Sequence, residues 1–156
     1  MTFPIEGYVQ RRGAWRDRTL VSQFLKRTYQ ELYPDQCFDH LNRTVEQYFS
    51  LETPTWWIAL QTDPSTPIAG LWMGNTVDQI SGDRHAYIFM LFVEPAHRRR
   101  GIGSALMQTA EAWAAHRGDR QIGLQVFTEN RAAINLYETL GYRPQAIWMI
   151  KPISQC

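Results

Sequence analysis

Apolar side chains recur along this chain at two kinds of spacing. Val21, Phe24, Leu25, Thr28 and Leu32 fall at helical intervals, and Pro34 closes that run. Phe38, Leu41, Val45, Tyr48 and Phe49 repeat the pattern and predict a second amphipathic helix beginning near Asp35 or Cys37. Ile102, Ala105, Leu106, Thr109, Ala110 and Trp113 predict the longest helix, with His116 and Arg117 in its last turn and Gly118 as its stop. Ala133, Leu136, Tyr137 and Leu140 give a short fourth helix closed by Gly141.

Elsewhere the spacing is that of strands. Residues 8–11 read as a first strand, and 55–60 as a second with Trp56, Ile58 and Leu60 on one face. A turn over 62–67 leads to a strand over 68–73, so these two form a hairpin. After a turn at 81–83, the unbroken apolar run 86–93 suits a central strand covered on both faces, and Pro95 ends it. Ile122, Leu124 and Val126 alternate over 121–128, and a last strand is expected at about 146–150, carrying Trp148. The order β-α-α-β-β-β-α-β-α-β predicts an α/β sandwich of mixed sheet and packed helices. With no repeat and no linker, residues 1–156 are expected to form a single domain.

Composition narrows the function. The chain has 156 residues, and 16 Lys plus Arg against 15 Asp plus Glu leave a net charge of +1. All the basic residues are Arg except Lys26 and Lys151, and Arg offers a planar fork of donors suited to phosphate and carboxylate. Near-neutrality argues against a nucleic-acid binder or a membrane binder, so any phosphate recognition must be local. The apolar run 86–93 is far shorter than a membrane span, and the first six residues lack the pattern of a signal peptide. Cys37 and Cys156 have no metal-ligand spacing, and neither do His40, His85 and His116. The expectation is a cytoplasmic protein with free thiols and no metal.

Chemistry concentrates in residues 92–104, where a buried strand ends, a loop of basic residues and glycines follows, and a long helix begins. The first turn of a helix has backbone N–H groups without internal partners, and its dipole adds partial positive charge there. Phosphate oxygens satisfy both. Gly101 and Gly103 let the backbone bend and a ligand approach closely, and Ser104 adds a hydroxyl. A Walker loop would need a Lys, which is absent here, and a dinucleotide fingerprint would need a third glycine.

Arg98-Arg99-Arg100-Gly101-Ile102-Gly103 resembles the Arg/Gln-x-x-Gly-x-Gly/Ala signature of the GCN5-related N-acetyltransferases. Leu91 through Pro95 resembles the strand leading into that family's acetyl-CoA loop. The stretch from Glu129 to Tyr142, with its Asn130, Leu136-Tyr137 and Gly141-Tyr142, resembles its second hallmark. The two segments together, in order and separated by a helix and a strand, are specific over residues 86–151, whereas residues 1–85 match only in element order. The resemblance implies an α+β fold: a mixed, mostly antiparallel central sheet with splayed central strands, flanked by about four helices.

The same resemblance implies the site. The main chain of Leu91, Phe92 and Val93 would pair with the pantetheine arm of acetyl-CoA as a peptide pairs with a sheet edge. Amides and side chains of Arg98, Arg99, Arg100, Gly101, Ile102, Gly103 and Ser104 would hold the diphosphate. Asn130, also a natural N-cap, would touch the cofactor, and Tyr137 would protonate the departing thiolate. Glu94 is a candidate base, although a carboxylate just past a strand end is more often solvated. His97, among three arginines, reads as exposed or close to phosphate. Tyr87 and Phe89 read as core, with an acceptor-facing role as the alternative.

The implied reaction is attack of a primary amine, on a small molecule or a peptide, at the thioester of acetyl-CoA in a ternary complex. A non-catalytic acyl-CoA-binding module on the same fold is the alternative. Many relatives have two strands after the Gly-Phe/Tyr, whereas 143–156 holds room for one strand or a very short hairpin. The acceptor site is therefore expected to be more open, or to be completed by a second subunit in a homodimer.

Overall fold

The computed structural model describes residues 2–154 and divides after Gln125 into two compact units. The first contains β1 (Tyr8–Arg12), α1 (Arg18–Leu32), α2 (Leu41–Tyr48), β2 (Thr55–Leu60), β3 (Asp63–Val77), β4 (Arg84–Val93), α3 (Ile102–Arg117) and β5 (Ile122–Leu124). The second contains α4 (Arg131–Thr139) and the segment after it. The sheet order is β1-β2-β3-β4-β5, antiparallel except for the parallel pair β4–β5. This is the α+β class expected from the sequence: a mixed sheet with four α-helices.

Alternation along β2 sends neighbouring tryptophans to opposite faces. Trp57 joins Val21, Phe24, Leu25, Leu41, Val45, Trp72, Met90 and Phe92 in the core beneath α1 and α2. Trp56 instead meets Trp113 of α3 edge-on, with ring centroids 6.5 Å apart. Covering both faces explains why β2 is buried along almost its whole length. It also explains why the 86–93 run carries so little polarity, since Ala86, Ile88, Met90 and Phe92 are all nearly inaccessible.

Four local expectations need correction. The second helix starts at Leu41, and Phe38 packs into the core from the preceding turn, so neither Asp35 nor Cys37 caps it. β3 begins at Asp63, and the chain turns at residues 61–62. Pro64 and Pro67 are accommodated at the outer, irregular end of the hairpin, where the β2–β3 register shifts. β5 stops after three residues. No strand forms over 146–150, where Ile147 and Trp148 are 85% and 81% exposed. Alternation shows that a segment can pair, but a strand also needs a neighbouring edge. Cys37 is a free, exposed thiol, and Cys156 lies outside the described residues. No helix among the described residues is long and apolar enough to cross a membrane.

Candidate active site

β4 pairs with β3 as far as Ala69↔Val93, but with β5 only at Ala86↔Ile122, Tyr87↔Gly123 and Ile88↔Leu124. Residues 89–93 therefore have no strand partner on the β5 side, and the backbone of Leu91, Phe92 and Val93 lies within that open stretch. The splay begins at an irregularity. Trp72 faces Met90 and Met73 faces Ile88, which leaves Phe89 as an extra residue in β4. A bulge of this kind twists a strand and ends regular pairing.

Past Val93 the chain makes a short 3-10 turn, Pro95–His97, and enters α3 at Ile102. Arg99 (φ 62°) and Gly101 (φ 84°) both adopt the left-handed conformation that reverses the chain into the helix. Gly101 is the N-cap and offers no side-chain cap. The N–H groups of Ile102, Gly103 and Ser104 thus lack intrahelical acceptors at the positive end of a 16-residue helix. Among the described residues no side chain caps this helix end, and an oxyanion can occupy such a position.

The three arginines are not equivalent. Arg98 donates from Nε to the Val93 carbonyl at 2.7 Å and from its guanidinium to Glu31 at 2.6 Å, tying the loop to β4 and α1. Arg100 donates to the Tyr8 hydroxyl at 3.2 Å, and that hydroxyl lies 2.8 Å from His97 Nδ1. Arg99 is exposed.

Glu94 forms a bidentate ion pair with Arg27 of α1, the second bond measuring 2.6 Å. Arg27 also lies over the Phe92 ring, 4.7 Å from its centroid. The hydrogen bonds from Arg27 hold the Glu94 carboxyl below its ordinary pKa despite partial burial. Sequence spacing gave no sign of this pair. Arg27 and Glu31 stand at i and i+4 on α1, and they engage Glu94 and Arg98 in the loop that follows β4.

On the α1–α2 face the bulged Phe89 stacks on Trp72 (4.6 Å) and lies 5.4 Å from Tyr48 and 5.2 Å from Tyr87. Burial raises the pKa values of Tyr87 and Tyr29, so both stay neutral phenols.

In the second unit Asn130 caps α4, its side chain accepting from the Ala133 N–H at 3.3 Å. Tyr137 projects from α4 with its ring 5.9 Å from that of Tyr142. Burial pushes the Tyr137 phenol up to about 12. Among the described residues no cluster of His, Cys, Asp or Glu could hold a metal ion.

The Acetyltransferase (GNAT) family model matches residues 19–142. The chain belongs to this family. An uncharacterised N-acetyltransferase of Methanocaldococcus jannaschii is 38% identical over 73 residues. That match covers 47% of this chain and 32% of that protein, so the similarity spans about a third of the relative's length. A solved GCN5-related N-acetyltransferase from Ralstonia eutropha superposes with a TM-score of 0.72 at 26% identity, covering 94% of this chain and 99% of the other. A second solved structure, from Clostridium acetobutylicum and holding acetyl-CoA, has a TM-score of 0.74 at 18% identity over 93% and 96% of the two chains. This last likeness is one of fold. The GNAT match takes in both the Arg98–Gly103 loop and the Asn130–Tyr142 segment.

Proposed function

We propose that this GNAT protein transfers the acetyl group of acetyl-CoA to a primary amine. The observation that carries the reading is the continuity between an open strand edge and an open helix end. The unpaired side of residues 89–93 runs through one tight turn into the uncapped N-terminus of α3. An extended amide-bearing arm fits the first, and a diphosphate fits the second.

In this reading the main chain of Leu91, Phe92 and Val93 aligns the pantetheine arm. The N–H groups of Gly101, Ile102, Gly103 and Ser104 take the diphosphate together with the side chains of Arg99 and Arg100. Arg98 acts differently, bracing the loop from beneath through Val93 and Glu31. Glu94 belongs to the same brace, because a carboxylate held ionised by Arg27 is a poor acceptor for the amine's proton. That proton leaves to water, directly or along a chain of waters.

Acetyl-CoA supplies a thioester carbonyl. The neutral amine's lone pair forms the new C–N bond, the C–S bond breaks, and the sulfur takes the electron pair. A backbone N–H of the open β4 stretch donates to the carbonyl oxygen as negative charge grows there. By their match to the family's second hallmark, Tyr137, protonated at neutral pH, would donate its proton to the departing sulfur and regain it from water, and Asn130 would contact the cofactor. Positioning supplies much of the rate, so no triad is required.

Calorimetric titration with acetyl-CoA tests the reading; micromolar binding is expected, and no binding at millimolar concentration would overturn it. The involvement of Glu94 in an ion pair favours one competitor, a non-catalytic acyl-CoA-binding module. Release of free thiol in an amine screen separates the two, since turnover with any acceptor removes the competitor.

A further inference from the structure

A cleft of about 210 Å³ opens beside the bulge of β4, at the C-terminal end of α2. Phe89 and Gly74 form its strand wall, Gln47 and Tyr48 its helix wall, and Glu52 stands on the loop that joins α2 to β2. Phe89 is thus shared between the cleft and the point where β4 loses its β5 partner. Space at Gly74 has been given over to that ring: a Cβ at this position would lie 1.9 Å from Phe89 Cε2.

The loop carrying Glu52 is pinned at both ends. Phe49 is buried against Trp72, and Thr53 and Pro54 are buried, with the Pro54 carbonyl accepting from the Met73 N–H at 3.0 Å. Between them the Ser50 hydroxyl accepts from the Glu52 N–H at 3.1 Å. The backbone that carries Glu52 is therefore ordered before binding, while its side chain is exposed.

Among the residues lining the cleft there is one carboxylate, two aromatic rings, and no Lys, Arg or His. Arg117 does not line the cleft, but it donates to Oδ1 of the lining residue Asn75 at 2.7 Å. A carboxylate and two aromatic rings, of which Phe89 is stacked on Trp72 and Tyr48 is the more exposed, attract a cation and repel an anion. The reacting nitrogen itself must be neutral when it attacks, and a carboxylate beside it would favour the unreactive ammonium. Glu52 is therefore suited to a charge that persists through the reaction.

We propose that this cleft binds the acceptor, and that the acceptor is a small aliphatic amine carrying a second positive charge, held by Glu52, Tyr48 and Phe89. The proposal rests on reading the open β4 edge as the thioester site. Titrating the protein with diaminopentane, with pentylamine as the single-charge control, tests it by calorimetry and by NMR shifts of the ring protons. Diaminopentane is expected to bind about tenfold more tightly than pentylamine. Glu52→Gln is expected to weaken diaminopentane more than pentylamine and to erase most of that difference. Equal binding of the two amines, no binding at millimolar concentration, or a preference that survives Glu52→Gln would each overturn it. A parallel acetyl-CoA titration of both proteins keeps the failures distinct, because loss of cofactor binding sinks the acetyltransferase reading while the amine titration still decides the cleft.

Discussion

At the scale of single residues, Glu94 and Tyr137 show how environment sets a role. Both are titratable and both sit in segments that mark the family, yet their surroundings act in opposite ways. The carboxyl of Glu94 is kept charged by Arg27, whereas the Tyr137 phenol is kept neutral by burial. For Glu94 the folded pKa lies below its ordinary value of about 4.5, so the folded chain binds fewer protons there than the unfolded one. The stability from the pair is then present above that ordinary value and is lost as pH falls through the folded pKa. Arg27→Met is expected to cost about 1 kcal/mol near neutral pH, a modest figure because water still reaches both side chains. Urea titrations at neutral and acid pH check it, and the gap between variant and wild type should shrink on the acid side. Tyr137→Phe is expected to lower kcat by about tenfold to a hundredfold while acetyl-CoA affinity changes little. Unchanged turnover would remove Tyr137 as the acid.

Among the elements, α3 and β4 do most to define the site, and both were legible because their signals are local. Five apolar residues and Thr109 at helical spacing, with Gly118, place the length and end of α3, and an unbroken apolar run places β4. The splay was not legible from the residues themselves, because it depends on where β5 leaves β4 and on the extra residue at Phe89. Nor was the bracing of the loop, since Arg27 meets Glu94 across 67 positions and Arg98 meets Glu31 across 67. Gly101 joins the two elements. At φ 84° a Cβ is strained, so Gly101→Ala should cost about 1 kcal/mol in stability. The same change tilts the first-turn N–H groups, so acetyl-CoA affinity should fall severalfold. Calorimetry and denaturant unfolding of the one variant check both effects, and a loss of stability with affinity unchanged would argue that these amides do not hold the diphosphate.

For the molecule as a whole, hydrogen bonding is distributed unevenly along the chain. In the first unit β4 lies between two strands over 86–88 and keeps one partner as far as Val93. Asp119, its side chain nearly inaccessible, accepts from the Ala86 N–H at 2.7 Å and is paired with Arg117 and Arg84, securing the start of that strand. Burial of its side chains adds to this, so the amides of 86–88 should open only with global unfolding. In the second unit, residues 143–154 follow α4 without forming a helix or strand, and five of their large apolar side chains are at least 80% exposed. Native-state hydrogen exchange should therefore show the 86–88 amides among the slowest and those of 146–150 among the fastest. The comparison also tests the correction made to the sequence reading, which expected a strand at about 146–150 carrying Trp148. Slow exchange there in dilute protein would mean that the segment has found an edge to pair with. Protection that grows with protein concentration would place that edge on a second copy, because an intramolecular strand is indifferent to dilution.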